Sequence, residues 1–288
     1  MAVVATGFFD GVHLGHRQVI RTLVSSARDR GEEALVVTFS RHPRAVLQQG
    51  ARELRLLNSP QEKEAMLRAL GADRVEVVSF DRAFAALTAE QYIRDILRDR
   101  FGATALVLGY DNRLGSDKAG PGAIRSLARS LGLDVIVVPP ASVASDSAAE
   151  TISSTKIRKA LEGGNVEEAE AMLGYAYGLR GLVVSGKQLG RKLGFPTANL
   201  RLYDPMKLIP RQGVYLTEVT LQERRFWGMT NVGEPIETHI FDFDEDIYGL
   251  DLEIRFRCRL RDMRRFDSLG DLSAQLAADE SACRALIR

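Results

Sequence analysis

Gly7–Arg17 reads GFFDGVHLGHR, and the fold of the first half of the chain turns on this stretch. A short apolar strand, Val3–Ala5, runs into Gly7. Gly11 and Gly15 let the backbone turn tightly and come close to a ligand. His16–Arg30 then has helical spacing, with Val19, Ile20, Leu23, Val24 and Ala27 on one face. His13 and His16 therefore stand at a helix start, where free backbone N–H groups and the helix dipole favour an anion. Histidines on a polar loop need carry no function. Here, however, two of the chain's four histidines follow the first strand of an alternating segment, which is where open α/β sheets bind ligands.

Outward from this stretch, Leu35–Phe39 is β-rich. Pro60–Leu70 reads as a helix with Ser59 as N-cap, Pro60 at its first position and Gly71 past its end. Val75–Ser79, Ala105–Leu108 and Val135–Val138 read as strands. Ala89–Arg100, capped by Thr88, and Ala123–Leu131 read as helices. Such βα alternation with near-continuous apolar strands predicts a parallel sheet covered by helices. The rhythm changes near Gly174. Gly181–Ser185, Val214–Leu221, Phe226–Thr230, Glu237–Phe241 and Leu252–Arg259 read as strands with no helix between them, a small antiparallel barrel. Leu269 onward is helical, with Ser268 or Asp271 as cap. The boundary is placed in Gly174–Gly178, giving domains 1–174 and 175–288. Ala141–Ala149 is small and polar and reads as a flexible loop.

The 288 residues are 45% hydrophobic and 27% charged, ordinary globular usage that supports a core. A net charge of +1 provides no global field for nucleic acid or membrane, so an anionic ligand must be held by local groups. No apolar run is long enough to span a bilayer, and MAVVATGFFDG has neither the basic region nor the cleavage site of a signal peptide. Cys258 and Cys283 have no metal-ligand spacing and read as free thiols of a reducing cytosol. A cytoplasmic protein is expected, and an oligomer is left open.

Two further segments carry chemistry. Ile152–Arg158 reads ISSTKIR. Ser153, Ser154 and Thr155 offer hydroxyls, followed by Lys156 and Arg158. They suit a helix N-cap, and they also suit a second phosphate clamp beside the histidines. Gly190–Asn199 reads GRKLGFPTAN. Pro196 fixes the backbone there, while Thr197 and Asn199 point to one side of an extended segment. Their neutral oxygens with nucleotide phosphates suit Mg²⁺, which takes few protein ligands. On composition alone this stretch would pass for a turn. Gly181–Lys187, GLVVSGK, imitates a phosphate-binding loop but fails as one. Gln188 stands where a hydroxyl should hold the metal, and no helix follows.

HLGH with a later ISSTKIR resembles the nucleotidyltransferase superfamily. FDGVHLGHR, with VVTFSRHPR (Val36–Arg44) and LGYDNRLG (Leu108–Gly115), resembles the FMN adenylyltransferase half of bifunctional FAD synthetases. GRKLGFPTANL, GVY (Gly213–Tyr215), GMTNVG (Gly228–Gly233) and ETHIFDFDEDIYG (Glu237–Gly249) resemble the riboflavin kinase half. Together the resemblances cover nearly the whole chain. They imply an α/β Rossmann-like nucleotidyltransferase domain followed by a six-stranded antiparallel β-barrel with a C-terminal helix. They imply phosphorylation of riboflavin to FMN and adenylylation of FMN to FAD, with ATP as co-substrate at both steps and Mg²⁺ as metal.

The implied roles fall on named residues. His13, His16 and Arg158 would neutralise charge as pyrophosphate leaves. Gly7, Phe8, Asp10, Gly11, Gly15, Ser153, Ser154, Thr155 and Lys156 would hold ATP in the first domain, as would Gly190, Gly194 and Pro196 in the second. Thr197 and Asn199 would hold Mg²⁺. Asp111, Asn112, Gly213 and Tyr215 would contact flavin. Glu237 would accept the proton of a ribityl hydroxyl, a role that a poorly acidic nucleophile requires. The acidic run Asp242, Asp244, Glu245 and Asp246 reads as a solvated loop. Two departures stand out. The family often has an aromatic residue or histidine at the place of Asn112. Only Glu234, Pro235 and Ile236 separate Gly233 from Glu237, where the family has a longer loop, so the Gly233–Glu234 junction is expected to lack residues of the natural chain. A single-activity FMN adenylyltransferase with an impaired kinase domain is the alternative. A flavin- or nucleic-acid-binding protein on the same folds is a further one.

Overall fold

The computed structural model describes residues 1–43, 46, 54–143, 150–186 and 189–287. Arg44, the later part of the Ala141–Ala149 loop, and Lys187 and Gln188 of the imitation phosphate loop lie outside the described residues. The chain forms two compact units, Met1–Ser154 and Thr155–Arg288.

In the first unit, β1 (Ala2–Thr6), β2 (Glu33–Phe39), β3 (Arg74–Val78), β4 (Ala103–Gly109) and β5 (Asp134–Val138) form a parallel sheet in the order β3-β2-β1-β4-β5. The central strand is apolar throughout because both of its faces are covered. Val3 and Ala5 pack with Ile20 and Leu23 of α1 (Leu14–Arg30) and with Leu67 of α2 (Pro60–Ala69). Val4 packs on the other face, with Ile93, Leu97 and Ile124. Past a short α3 (Arg82–Ala85), α4 (Ala89–Gln91) runs straight into a π-wound α5 (Tyr92–Arg100), and Ile124 sits on α6 (Pro121–Ser130). Helices after β1 and β2 thus cover one face, and those flanking β4 cover the other. The winding reverses between β1 and β4 and leaves a crevice at their C-terminal ends. The expected caps are present: Ser59 and Thr88 each form a capping box. A two-stranded ribbon, β6 (Ser142–Val143) and β7 (Glu150–Thr151), closes the unit.

The second unit opens with α7 (Ser154–Gly163) and α8 (Val166–Leu173). The boundary expected at Gly174–Gly178 falls after these helices, which pack on the barrel. The Arg211 N–H donates to Leu161 O at 2.9 Å, and Arg257 bridges Glu170 of α8 and Glu218 at 2.8 and 2.7 Å. Six strands follow: β8 (Gly178–Val184), β9 (Ala198–Leu202), β10 (Gly213–Leu221), β11 (Arg224–Val232), β12 (Ile236–Ile240) and β13 (Asp251–Arg261). They close in the order β10-β11-β12-β9-β8-β13. The sequence reading enumerates five of them. The sixth, β9, lies in the PTAN stretch, read there only as extended.

Alternation decides what each strand residue faces. Leu216, Met229 and Phe241 cluster with Cys283 of α10 (Leu269–Leu286) and so form the barrel's outer face. Tyr215, Thr217, Thr230 and Thr238 have the opposite parity, are fully buried, and fill the interior. Thr230 hydrogen-bonds Thr217 and Thr238, each at 2.9 Å, so no buried hydroxyl of this trio is stranded. Ser268 caps α10, accepting from the Asp271 N–H. The β11–β12 connection is Gly233–Pro235, and the ladder is already paired at Asn231↔Glu237. The expected gap at Gly233–Glu234 is therefore not met: the connection has a length ordinary for a hairpin loop, and Pro235 stands outside the paired ladder.

Candidate active sites

The first site is built at the crevice between β1 and β4. Gly7 leaves β1 and donates to Val37 O at 3.1 Å. Phe9, Gly11 and Val12 all take positive φ, 55°, 82° and 36°. This compact turn brings the chain back to α1 within a few residues. The buried Asp10 carboxylate pins it, accepting from the Leu57 and Asn58 N–H groups at 3.0 and 3.4 Å. The hydroxyl of Ser154, the last residue of this unit, donates to Asp10 O at 2.9 Å. Ser153 adjoins this contact; Thr155, Lys156 and Arg158 belong to α7 of the second unit, the two cations half-buried.

His13 is the N-cap of α1, and its Nδ1 accepts from the His16 N–H at 3.3 Å. The two imidazoles stack, with centroids 3.6 Å apart and planes 17° from parallel. A Cβ on Gly15 would sit 3.2 Å from His13 Cε1, so a side chain there would press on the stack. Burial lowers the His13 pKa to about 4. It also holds His16 well below the usual histidine range, helped by His13 and Lys63. The rings are therefore neutral near pH 7. Neutral imidazole still carries one N–H donor, and His16 Nδ1 is buried without a partner.

Lys63 is a residue of this site that the sequence reading missed. It is buried on α2, donates to Phe8 O at 3.0 Å and to Phe39 O at 3.4 Å, and lies 3.9 Å from the centre of the Phe8 ring. Burial lowers its pKa to about 8, with Asp10 opposing the shift. Within PQEKEAML it reads as one more charge on a solvated helix, and nothing local marks it. Asn112 is turned inward: its Nδ2 donates to Thr6 O at 3.2 Å, strapping the end of β1 to the turn after β4, while Asp111 is exposed.

The second site lies on the barrel. Short α9 (Leu189–Lys192) leads into a turn at Gly194, φ 85°. A Cβ on Gly190 would lie 2.3 Å from Phe195 O, so the turn closes only with glycine there. Pro196 O accepts from His239 Nδ1 at 2.8 Å, which fixes that ring's tautomer and ties the PTAN segment to β12. Two cavities adjoin the segment. One, of about 180 Å³, is lined by Arg191, Pro196, Thr197 and Ala198 and by Asp244–Tyr248. The other, of about 270 Å³, is lined by Gly190, Thr197, Asn231, Glu237 and His239 under Leu272 and Leu276 of α10. Thr197 belongs to both.

Register sets Glu237 between two asparagines, opposite Asn231 on β11 and opposite Asn199 on β9. The Oδ1 atoms of Asn199 and Asn231 are both buried without a partner. Arg261 closes one side of the larger cavity, held by the buried Asp279 of α10 through bonds of 2.6 to 3.0 Å. Tyr215 points into the barrel, away from this cavity, and its hydroxyl donates to Arg211 O. Its neighbour Val214 lines the cavity instead. Gly213 is not among the lining residues. A Cβ there would meet Arg261 O at 2.7 Å, so its part is close backbone approach. Asp244, Glu245 and Asp246 wall the smaller cavity, so the acidic run is more than a solvated loop. Asp242 and Glu245 pair with Arg284 and Arg224.

Two family models divide the chain as these sites do: FAD synthetase matches residues 1–156 and riboflavin kinase matches residues 173–287. The bifunctional riboflavin kinase/FMN adenylyltransferase of Listeria monocytogenes is 35% identical over 295 residues, covering 98% of this chain and 91% of that protein. The chain belongs to the bifunctional riboflavin kinase/FMN adenylyltransferase family. The family's Escherichia coli member is 35% identical over 293 residues, again covering 98% of this chain and 91% of its own. A solved structure, the macrolide-efflux protein of Streptococcus pneumoniae, has the same fold. Its TM-score is 0.90 at 35% identity, and the match covers 98% of this chain and 94% of that one. The histidine loop thus lies in the FAD synthetase half, and both barrel cavities lie in the riboflavin kinase half. Among the described residues, no helix is long and apolar enough to cross a membrane.

Proposed function

We propose that the chain makes FMN from riboflavin at the barrel and FAD from FMN at the histidine loop, with ATP as co-substrate each time. The observation that carries the kinase reading is Glu237, set between two orphaned amide oxygens on the wall of a cavity that shares Thr197 with a second cavity. The smaller cavity takes ATP, and the larger takes riboflavin with its ring under α10. Glu237 accepts the proton of the terminal ribityl hydroxyl. The hydroxyl oxygen bonds to the γ-phosphorus, the β–γ bridge breaks and ADP leaves. Thr197 and the buried Asn199 Oδ1 are oxygen donors of the type that Mg²⁺ accepts, and they would hold it. When bound, the ion neutralises phosphate charge.

In the adenylyl step the attacking phosphate of FMN is already ionised. An FMN oxygen bonds to the α-phosphorus and pyrophosphate leaves, so the protein must orient the reactants and receive charge. His13 and His16 donate to phosphate oxygens, and Ser153 and Ser154 contribute hydroxyls. The turn from Gly7 through Gly15 brings backbone close to the nucleotide. Asn112 holds the floor of the crevice and leaves flavin contact to Asp111 and its neighbours. The protein acts on small molecules in the cytoplasm, with no nucleic acid or membrane partner.

Incubation of the purified protein with riboflavin and Mg²⁺-ATP, followed by separation of the flavins, tests the reading. FMN should appear first and FAD after it. FAD formed from supplied FMN but no FMN formed from riboflavin would leave a single-activity enzyme.

A further inference from the structure

We infer that Asn231 reads the ribityl chain of the flavin, its Oδ1 accepting from a secondary hydroxyl next to the one that Glu237 deprotonates. The inference rests on the larger cavity being the flavin site. Three observations carry it. Asn231 lines that cavity, and its Oδ1 is buried and has no partner. A buried carbonyl left unpaired is costly, and a ligand donor removes the cost. Asn231 is also directly opposite Glu237 in the β11–β12 ladder. Cross-strand neighbours have Cβ atoms about 4.5–5.5 Å apart, close enough for the two side chains to converge on neighbouring hydroxyls of one polyol.

The third observation is direction. The row across β11, β12 and β9 runs Asn231, Glu237, Asn199. Asn199 sits next to Thr197, which also lines the nucleotide cavity. The phosphate being transferred therefore approaches Glu237 from the Asn199 side. Asn231 is on the far side, where the rest of the acceptor substrate must lie. The apolar end of the cavity, Met229, Leu272 and Leu276, takes the ring, which leaves the polyol as the donor that Asn231 meets. An oxygen acceptor at this point selects an acceptor substrate with a hydroxyl-bearing tail.

The experiment compares riboflavin with its 2′-, 3′- and 4′-deoxy analogues, all of which keep the reacting hydroxyl, in the natural protein and in Asn231→Ala. The natural protein should discriminate against the 4′-deoxy analogue in kcat/KM by roughly 3- to 10-fold, the scale of one hydrogen bond. Asn231→Ala should lower kcat/KM for riboflavin by that factor, mainly through KM, and should lose that discrimination. A ratio taken on one protein cancels any loss of folded material, so a merely structural role would leave it unmoved. Discrimination retained by Asn231→Ala against the 4′-deoxy analogue overturns the inference. So does a loss of discrimination against 3-methylriboflavin instead, which would make the ring imide the donor. Met229→Trp, which fills the ring end, tests the underlying cavity assignment. If it leaves the KM for riboflavin unchanged, that assignment fails, whatever Asn231 does.

Discussion

His13 and His16 stack at 3.6 Å between ring centroids, with His13 capping the helix on which His16 stands. The capping ring fixes the backbone, and the ring stacked on it is positioned as a result. Removing His16 should therefore spare the fold and remove a donor to the leaving pyrophosphate. His16→Ala should slow FAD formation from FMN at least ~100-fold, the scale of losing one transition-state donor. FMN formation from riboflavin should persist. Near-normal adenylyl transfer by the variant would exclude His16 from the chemistry.

The same stack makes the protein sensitive to acid. The His13 pKa is lowered from 6.5 to about 4 in the folded chain. Below pH 6.5 the unfolded chain takes up a proton that the folded chain refuses, so stability is full above that pH and falls as pH drops toward 4. Between pH 7 and pH 5, His13 alone should cost on the order of 2 kcal/mol, and His16 should add to this. His13→Asn keeps a good N-cap without a titrating ring. Denaturant unfolding at the two pH values should show a smaller acid loss in this variant. An equal loss in both proteins would move the acid sensitivity elsewhere.

Glu237→Gln keeps the shape of the side chain and removes its proton acceptor. FMN formation should fall by roughly 10²–10⁴-fold, the usual contribution of a general base. Riboflavin affinity should change little, and FAD formation from supplied FMN should stay as it is. Normal phosphorylation of riboflavin by this variant would make Glu237 structural.

Asn199→Ala removes one of the two oxygens assigned to Mg²⁺. Riboflavin phosphorylation should then need a higher Mg²⁺ concentration and bind nucleotide more weakly. Asn199 is buried and an added Cβ on Gly186 would lie 2.3 Å from its Nδ2, so thermal unfolding should be compared alongside. An unchanged Mg²⁺ dependence in a folded variant would leave Asn199 a packing residue.

Much of this was legible in the sequence because local chemistry and fold agreed. The apolar strands, the Ser59 and Thr88 caps and the two glycine turns each carry their signal within a few residues. What escaped was long-range. Lys63 looks like a helix-surface charge until α2 packs against the end of β2. Asn231 shows nothing until the ladder puts it opposite Glu237. Tyr215 and Val214 differ only in parity, which a short GVY string does not reveal until barrel closure decides which face is inside. Asn112 has an unremarkable identity, and its bond to Thr6 depends on β1 and β4 being neighbours. The β9 strand was hidden because its first residues look like a turn.

Thr197 is a wall common to both cavities of the barrel, and a shared wall has a kinetic meaning. On the proposed assignment donor and acceptor meet there, and neither should have to pass through the other's volume to arrive or leave. That arrangement predicts no fixed order of addition. On that assignment either substrate should be able to load first, and FMN should depart without waiting for ADP. Initial-rate plots against the two substrates should intersect, with each product inhibiting mainly against the substrate whose cavity it occupies. A side chain bulkier than threonine at this one position would be felt from both sides at once.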